Sequence, residues 1–308
     1  MPRAARDLLA LCRAAPYNAA VSPLPPRPLD PLWRGLRTLR VVVTVGLYLL
    51  VLPSGILPYA VFRVVGACRG WSPVERARHL QRLCAVGLRC MHWWLRVFRI
   101  ISFDARQVRL QLPPGPCVVV ANHPTSLDPT ALIVLLGECC TLVKPAVYRQ
   151  RLIGALLAQA MHFEGPSLDP GSVGNVLDEA MVRLRAGMHL FVFPEGTRSP
   201  EGELRPFDRI AFAIACRAGV PVVSLLLRCD PVYLSHATPL YRPPARQPRL
   251  VVETLAVDRP EQVGGDSRRL RDLVEGRFRA AVGSGDAHGN AAPPGAGRRW
   301  NRPGAGIN

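Results

Sequence analysis

Short apolar runs alternate with helical patterns through the middle of the chain, and this alternation constrains the fold more than any other feature. The apolar runs are typical of buried strands and lie at residues 117–121, 140–143, 189–193, 220–227 and 250–255. Helical patterns lie between or after them at residues 130–136, 152–161, 173–185 and 209–218. Strand–helix alternation predicts an α/β fold with a mixed, mainly parallel sheet flanked by helices.

An uncharged run at residues 41–62 precedes this region. About 20 apolar residues suffice for a helix that spans a bilayer. Pro53 and Pro58 interrupt the run, however, and proline removes helical hydrogen bonds. Arginines flank both of its ends, whereas a single span typically has more positive charge on one side. We therefore expect a helix–break–helix hairpin that enters one leaflet, with a full span and a buried core helix as the alternatives.

A second N-terminal helix is predicted to run from Pro73 to about Phe98. Ser72 and Glu75 have the spacing of a capping box, with Pro73 at the first helical position. Arginines and apolar residues alternate along the helix, and a tryptophan pair lies near its end. This pattern suits either the headgroup boundary of a membrane or an amphipathic helix packed on the domain, and both can hold together. We accordingly expect membrane-associated helices at the N-terminus.

The net charge is +17 over 308 residues, and arginine carries almost all of the positive charge, because Lys144 is the only lysine. Such a charge points to anionic partners. Nucleic acid, anionic lipid headgroups and an arginine-rich composition without a role are the three explanations. No nucleic-acid-binding motif is present, so we expect no nucleic-acid partner and favour membrane lipids together with compositional bias. The nine cysteines lack metal-like spacing, which favours reduced thiols and a domain that faces the cytosol.

Composition divides the chain into four predicted parts. Residues 1–36 form an N-terminal extension with a proline-rich linker, and residues 37–100 form the membrane-associated helices. The α/β domain occupies residues 101–282. Residues 283–308 are rich in glycine, proline, alanine and arginine, and they are expected to be a disordered tail.

The first polar motif, Asn-His-Pro-Thr-Ser-Leu-Asp, begins directly after the strand predicted at residues 117–121. Sites in α/β proteins form at the carboxyl ends of strands. His123 is a natural general base near neutral pH. Asp128, five positions later, can hold one ring nitrogen and stabilise the imidazolium. The competing interpretation is structural, with Asp128 as a helix N-cap before Pro129, and the two interpretations are compatible.

The second motif, Phe-Pro-Glu-Gly-Thr-Arg-Ser at residues 193–199, also follows an apolar strand. Its proline and glycine suit a turn, and Gly196 allows a ligand to approach the backbone closely. Arg198 offers a planar fork that matches phosphate. A turn alone does not explain why Glu195 and Arg198 occur together with two hydroxyl side chains.

Together the two motifs resemble those of the lysophosphatidic acid acyltransferase family of glycerolipid acyltransferases, over roughly residues 63–255. The resemblance implies that His123, held by Asp128, activates an acceptor hydroxyl for attack on the thioester of acyl-CoA or acyl-carrier protein, without an acyl-enzyme. It also implies that an acceptor binds at Glu195, Gly196, Thr197 and Arg198.

The reaction that the resemblance implies is the acylation of 1-acylglycerol-3-phosphate to phosphatidic acid at the inner (cytoplasmic) membrane, with the active site facing the cytoplasm. A thioester attack also needs a group that stabilises the oxyanion. Lys144 follows the strand after the first motif and is our candidate, although a solvated loop lysine would look the same. We expect no metal and no cofactor beyond the acyl donor.

Two departures from the family's pattern concern the acceptor side. The family usually has an arginine, tied to the acceptor phosphate, in the segment that corresponds to residues 161–167, and this chain has none there. Residues 207–210 read Phe-Asp-Arg-Ile where members usually have Phe-Lys-x-Gly. The alternative is therefore the same chemistry on another lyso-lipid or a specialised lipid or pigment acceptor. A non-catalytic membrane adaptor is a further alternative, which the intact motifs disfavour.

Overall fold

The computed structural model describes residues 56–104, 112–167, 169, 171–200, 203–235, 237–239, 243–244 and 246–285, with scattered positions between 35 and 46. Most of the extension at 1–36 and the tail at 283–308 therefore lie outside the described residues. The predicted division into four parts stays a prediction.

Within the described part of the chain, seven strands form one sheet. They are β1 (Ser102–Asp104), β2 (Val118–Ala121), β3 (Cys139–Val143), β4 (Phe163–Glu164), β5 (His189–Val192), β6 (Val222–Asp230) and β7 (Arg249–Asp258), in the spatial order β1-β7-β6-β2-β5-β3-β4. Every neighbouring pair is parallel except β6 and β7, which are antiparallel. The predicted mixed, mainly parallel sheet is confirmed.

The strands differ from the sequence expectation in two respects. β6 and β7 extend beyond the apolar runs at 220–227 and 250–255, because their antiparallel pairing continues from Val222 opposite Asp258 to Asp230 opposite Arg249. β1 and β4 were not anticipated, since strands of three and two residues are too short for a period-2 pattern to be visible.

The helices flank the sheet on both faces. They are α1 (Ile56–Cys68), α2 (Pro73–Val97), α3 (Asp128–Leu136), α4 (Pro145–Tyr148), α5 (Arg151–Gln159), α6 (Ser172–Arg185), α7 (Ile210–Ala218) and α8 (Ser267–Gly285). The four helical patterns predicted in the α/β region match α3, α5, α6 and α7. The unanticipated α8 is rich in arginine, yet its buried Leu270, Val274 and Phe278 recur every four residues and form an apolar stripe.

The sheet separates two apolar cores. The first packs β2 residues such as Val119 against Leu132 of α3 and Leu95 of α2. The second packs the opposite face, including Val118, against α6, α7 and α8, with Phe212 among the buried side chains. Because successive strand residues point to opposite faces, Val118 and Val119 belong to different cores.

The helix predicted from Pro73 to about Phe98 is present as α2, while the membrane association of the N-terminal helices stays a prediction. α2 begins with the predicted capping box: the Glu75 backbone N–H donates to Ser72 Oγ at 3.2 Å, and Ser72 N–H donates to Glu75 Oε2 at 2.8 Å. α1 begins at Ile56, after the first prolyl break of the apolar run at 41–62, much of which lies outside the described residues. Among the described helices, none combines the length and the apolar character that a bilayer span requires.

Candidate active site

Four loops meet at one edge of the sheet because β2, β3, β5 and β6 are parallel. The loop after β2 carries the first motif, and the loop after β5 carries the second. The loops after β3 and β6 begin with Lys144 and Pro231. Since β2 and β5 are direct neighbours, the two motifs lie side by side although 72 residues separate their contacting members.

Asn122 fixes the start of the first motif. Its side-chain Nδ2 donates to the Leu227 carbonyl at 2.9 Å, and its Oδ1 accepts from Leu227 N–H at 2.7 Å. The amide thereby continues the pairing between β2 and β6 past the last strand residue. Because both of these bonds are buried, breaking them would leave backbone groups unsatisfied. The chain therefore leaves the sheet at His123 in a defined direction.

The structure brings His123 and Asp128 together as predicted. His123 Nδ1 lies 2.8 Å from Asp128 Oδ2, with the His123 side chain 17% exposed and the Asp128 side chain fully buried. Thr125 completes the arrangement: its N–H donates to Asp128 Oδ2 and its hydroxyl to Oδ1, both at 2.6 Å. With Nδ1 on the carboxylate, Nε2 is the ring nitrogen available to a substrate.

Burial raises the pKa of the Asp128 carboxyl above its usual range, while hydrogen bonds from His123 and Thr125 act in the opposite direction. Asp128 is the first residue of α3, and the N-cap position is taken by Leu127, which makes no side-chain cap. The structural interpretation of Asp128 as an N-cap is therefore wrong in detail. Its carboxylate turns back to Thr125 and His123, although Pro129 does occupy the first turn.

Phe193 supports the imidazole from one side. Its ring stacks on the His123 ring with 4.2 Å between centroids and 21° between planes. Phe191 of β5, two residues earlier, packs against Phe193 edge-on with 5.9 Å between ring centroids. The first residue of the second motif therefore restricts the rotation of His123.

Glu195 joins the two motifs from inside the protein. Its side chain is buried, and Oε1 accepts from the His123 backbone N–H at 3.1 Å and from the Ser199 hydroxyl at 2.6 Å. Oε2 accepts from Arg205 N–H at 2.9 Å. Ser199 N–H also donates to the His123 carbonyl at 2.8 Å. One carboxylate thus sets the separation of the motif loops, while its predicted contact with an acceptor stays a prediction.

Arg198 is anchored to the loop after β6. Its Nη1 donates to the Leu234 carbonyl at 3.0 Å, and the same carbonyl accepts from Ser126 N–H of the first motif at 3.1 Å. Leu234 adopts φ 58°, a left-handed conformation that side chains rarely take, which directs its carbonyl toward both motifs. The loop after β6 therefore holds Arg198 close to the first motif.

The remaining predicted residues lie at the same edge. Gly196 is exposed at φ 66°, and its N–H donates to the Phe193 carbonyl at 3.0 Å, as expected for the turn. Thr197 is half-buried beside it. Lys144 is exposed at the end of β3, two strands away from β2, and precedes α4. The hydrogen bonds found among the described residues do not join Lys144 to His123, so its oxyanion role stays a prediction.

Two segments, residues 161–167 and 207–210, differ from the family's usual sequence on the acceptor side. Gly165 follows β4, and its N–H donates to the Val143 carbonyl at 2.8 Å. Beside it, Glu164 pairs with Arg149 at 2.7 Å on the surface. Asp208 N–H donates to the Pro194 carbonyl at 2.7 Å, so this segment borders the second motif. Both departures therefore lie at the edge that carries the motifs.

Sequence reasoning missed Thr125, the stacking of Phe193 and the carbonyl of Leu234. A threonine three residues before Asp128 is a recognisable signal, since such hydroxyls bond locally to turns. Nothing in the sequence indicates Leu234, because its role depends on a loop 36 residues beyond Arg198 in the chain.

Comparisons with known proteins match the region that carries the two motifs. A family model described as "Acyltransferase" matches residues 106–228. The chain is 37% identical over 112 residues to a chloroplastic 1-acyl-sn-glycerol-3-phosphate acyltransferase of Brassica napus, covering 36% of this chain and 33% of that protein. It is 31% identical over 144 residues to the human 1-acyl-sn-glycerol-3-phosphate acyltransferase beta, covering 44% of this chain and 50% of that protein.

A solved structure has the same fold. The 1-acyl-sn-glycerophosphate (LPA) acyltransferase PlsC from Thermotoga maritima superposes with a TM-score of 0.60 at 18% identity, covering 83% of this chain and 99% of that one. The sequence matches span about a third of the Brassica protein and half of the human one. Over the residues that these comparisons match, which include both motifs, the chain is similar to the lysophosphatidic acid acyltransferase family of glycerolipid acyltransferases.

Proposed function

We propose that this protein transfers a fatty acyl group from acyl-CoA or acyl-carrier protein to the hydroxyl of 1-acylglycerol-3-phosphate, which yields phosphatidic acid. The observation that carries the proposal is the bond of 2.8 Å between His123 Nδ1 and the buried Asp128 carboxylate at the carboxyl edge of the sheet. The identity of the acceptor is proposed from the names of the similar proteins, which are 1-acyl-sn-glycerol-3-phosphate acyltransferases.

In the proposed mechanism His123 acts first as a general base. Its Nε2 takes the proton of the acceptor hydroxyl while the hydroxyl oxygen bonds to the thioester carbonyl carbon. The tetrahedral intermediate then collapses, the carbon–sulfur bond breaks, and the leaving thiolate takes the proton back from the imidazolium. Asp128 stabilises the imidazolium between these steps, because its carboxylate is held on Nδ1 and cannot turn away.

The second motif is proposed to hold the acceptor. Arg198 is oriented toward the first motif by the Leu234 carbonyl, and a guanidinium fork suits a phosphate. Gly196 and Thr197 lie next to it and offer an exposed turn and a hydroxyl. Both oxygens of Glu195 are used within the protein, which supports a role in shaping this surface. Lys144 remains our candidate for the oxyanion.

The test is acyl transfer measured with full-length protein in liposomes. Labelled acyl-CoA and acyl-carrier protein are offered with 1-acylglycerol-3-phosphate and with a panel of other lyso-lipids. We expect turnover of the phosphate acceptor, and Arg198→Lys should raise its KM about tenfold, since a point charge replaces the bidentate fork. Turnover of another lyso-lipid alone would replace the proposed acceptor, and no turnover with any acceptor would remove the proposed function.

We further propose that the protein docks on the cytoplasmic face of the inner membrane through the last turns of α2. Trp93 and Trp94 are 45% and 46% exposed, and Val97 is 52% exposed. Arg89 and Arg96 lie on the same turns. Half-wet tryptophan rings beside arginines suit the boundary of an anionic bilayer. This surface would bring the lipid acceptor close to the site, because α2 packs on α3, which begins with Asp128.

Replacing both Trp93 and Trp94 by alanine is expected to weaken binding to phosphatidylglycerol vesicles about tenfold or more, because two amphipathic rings are lost from the interface. Co-sedimentation measures the effect. The control is Val182→Ala, which removes an exposed apolar side chain from α6 and should leave vesicle binding unchanged. Unaltered binding of the double tryptophan variant would contradict the proposed docking surface.

A further inference from the structure

A buried histidine of α2, which the proposed mechanism does not use, contacts the helix that carries Asp128. His92 is 4% exposed and points inward, opposite the exposed tryptophans. Its Nε2 lies 2.8 Å from the Thr130 hydroxyl oxygen on α3, and its ring packs edge-on against Phe103 with 5.1 Å between centroids. His92 therefore reaches a residue two positions after Asp128.

The hydroxyl of Thr130 determines the direction of this contact. Its Oγ1 lies 2.6 Å from the Leu127 carbonyl oxygen, and a carbonyl can only accept, so the hydroxyl proton is used there. His92 must then donate Nε2–H to Thr130. Burial lowers the pKa of His92 to about 4, so the ring remains neutral near pH 7 and keeps a single N–H. The three residues therefore form a chain of two hydrogen bonds, in which His92 donates to Thr130 and Thr130 donates to Leu127.

Leu127 is also bound through its N–H, which belongs to the preceding peptide. Leu127 N–H donates to Thr125 Oγ1 at 3.2 Å, and that hydroxyl donates to Asp128 Oδ1 at 2.6 Å. Leu127 occupies the N-cap position of α3 without a side-chain cap. The turn that presents Asp128 thus depends on two threonine hydroxyls, and one of them is held by His92.

Packing alone does not account for a histidine at this position. Among the described residues, His92 Nδ1 is buried without a hydrogen-bond partner. Leu95, Ile101, Leu127 and others line a cavity of about 10 Å³ beside the ring. An unpartnered buried nitrogen costs about 1–3 kcal/mol, and a leucine would avoid that cost. The N–H that His92 directs at Thr130 is what an apolar side chain could not provide.

We propose that His92 is a positioning residue for the acyl transfer. It holds the Thr130 hydroxyl, and through it the turn at Leu127, so that the Asp128 carboxylate stays on His123 Nδ1. This inference rests on the proposed function, in which His123 and Asp128 act together.

The first test compares variants of the full-length protein in the acyl-transfer assay. His92→Leu and Thr130→Val should each lower kcat about tenfold with KM within about twofold, because a misplaced base slows the chemical step without weakening binding. The kcat of the double variant should be no lower than that of either single variant, since both substitutions break the same chain of hydrogen bonds. His92→Gln, which retains an N–H donor, should recover most of kcat. Additive losses, or a glutamine variant no better than leucine, would overturn the proposal.

The second test does not depend on turnover. The downfield Nδ1–H resonance of His123 reports its bond to Asp128 in proton NMR spectra, and it should broaden or shift in His92→Leu and return in His92→Gln. The matched control is His189→Leu, a histidine at the opposite end of the sheet, which should change neither kcat nor the resonance. If the parent protein transfers no acyl group, the proposed function fails while this comparison still tests His92. An unchanged resonance with unchanged kcat in an active protein would remove the positioning role alone.

Discussion

Replacing His123 by alanine is expected to lower kcat for acyl transfer about 10³-fold, because general-base catalysis contributes about 10²–10⁴-fold. Asp128→Asn should lower it about 10²-fold. An asparagine oxygen in the place of Oδ2 can still accept from Thr125 N–H and His123 Nδ1–H, while its amide faces the Thr125 hydroxyl. The substitution thus preserves the geometry and removes the charge that stabilises the imidazolium.

Initial rates with the acceptor at saturation measure both effects, and thermal unfolding of each variant verifies that the protein remains folded. His189→Leu serves as the control for the loss of a histidine at a site away from the motifs. If His123→Ala kept more than about a tenth of the parent kcat, His123 could not be the base. If Asp128→Asn matched the parent, the carboxylate charge would have no part in the step.

The second large effect is expected from Glu195→Gln. A glutamine can place its carbonyl oxygen toward His123 and Ser199 or toward Arg205, but not toward both. At least one partly buried donor then loses its acceptor, which costs about 1–2 kcal/mol of the free energy of unfolding. We also expect kcat to fall about tenfold, because the two motif loops separate.

Urea unfolding and the acyl-transfer assay measure the two effects on one preparation. Glu261→Gln, an exposed glutamate on the turn after β7, is the matched control and should change neither quantity. A Glu195→Gln variant as stable as the parent would contradict the role of this carboxylate as the link between the motifs. A variant that is as stable as the parent, with an unchanged kcat and a raised KM for the acceptor, would instead support the predicted contact between Glu195 and the acceptor.

Each motif loop contains a buried carboxylate that holds His123: Asp128 binds its imidazole, and Glu195 binds its backbone N–H. Asp128 is fully buried under His123, and Glu195 is buried under the peptide of the same residue. Among the residues proposed to meet substrate, His123, Gly196, Thr197 and Arg198 each keep some exposure to solvent. The groups that are proposed to contact substrate are thus held in place by two buried carboxylates.

The sequence alone determined the fold class and the identity of the two motifs. Strand and helix periods are local properties, so the runs at 117–121 and 189–193 were recognisable without any tertiary information. The polar residues that follow each run, including His123 and Glu195, were assigned to a site for the same reason, because the carboxyl ends of parallel strands share one edge. The capping box at Ser72 and the pairing of His123 with Asp128 also follow from short spacings.

Only the tertiary structure decided how these pieces meet. The order that places β5 beside β2, and thereby Glu195 beneath His123, depends on pairing between strands about 70 residues apart. The left-handed Leu234 and the inward-facing His92 likewise act across loops or between helices. Side-chain direction and long-range partners are set by the packing of the whole chain, and a local pattern contains no information about them.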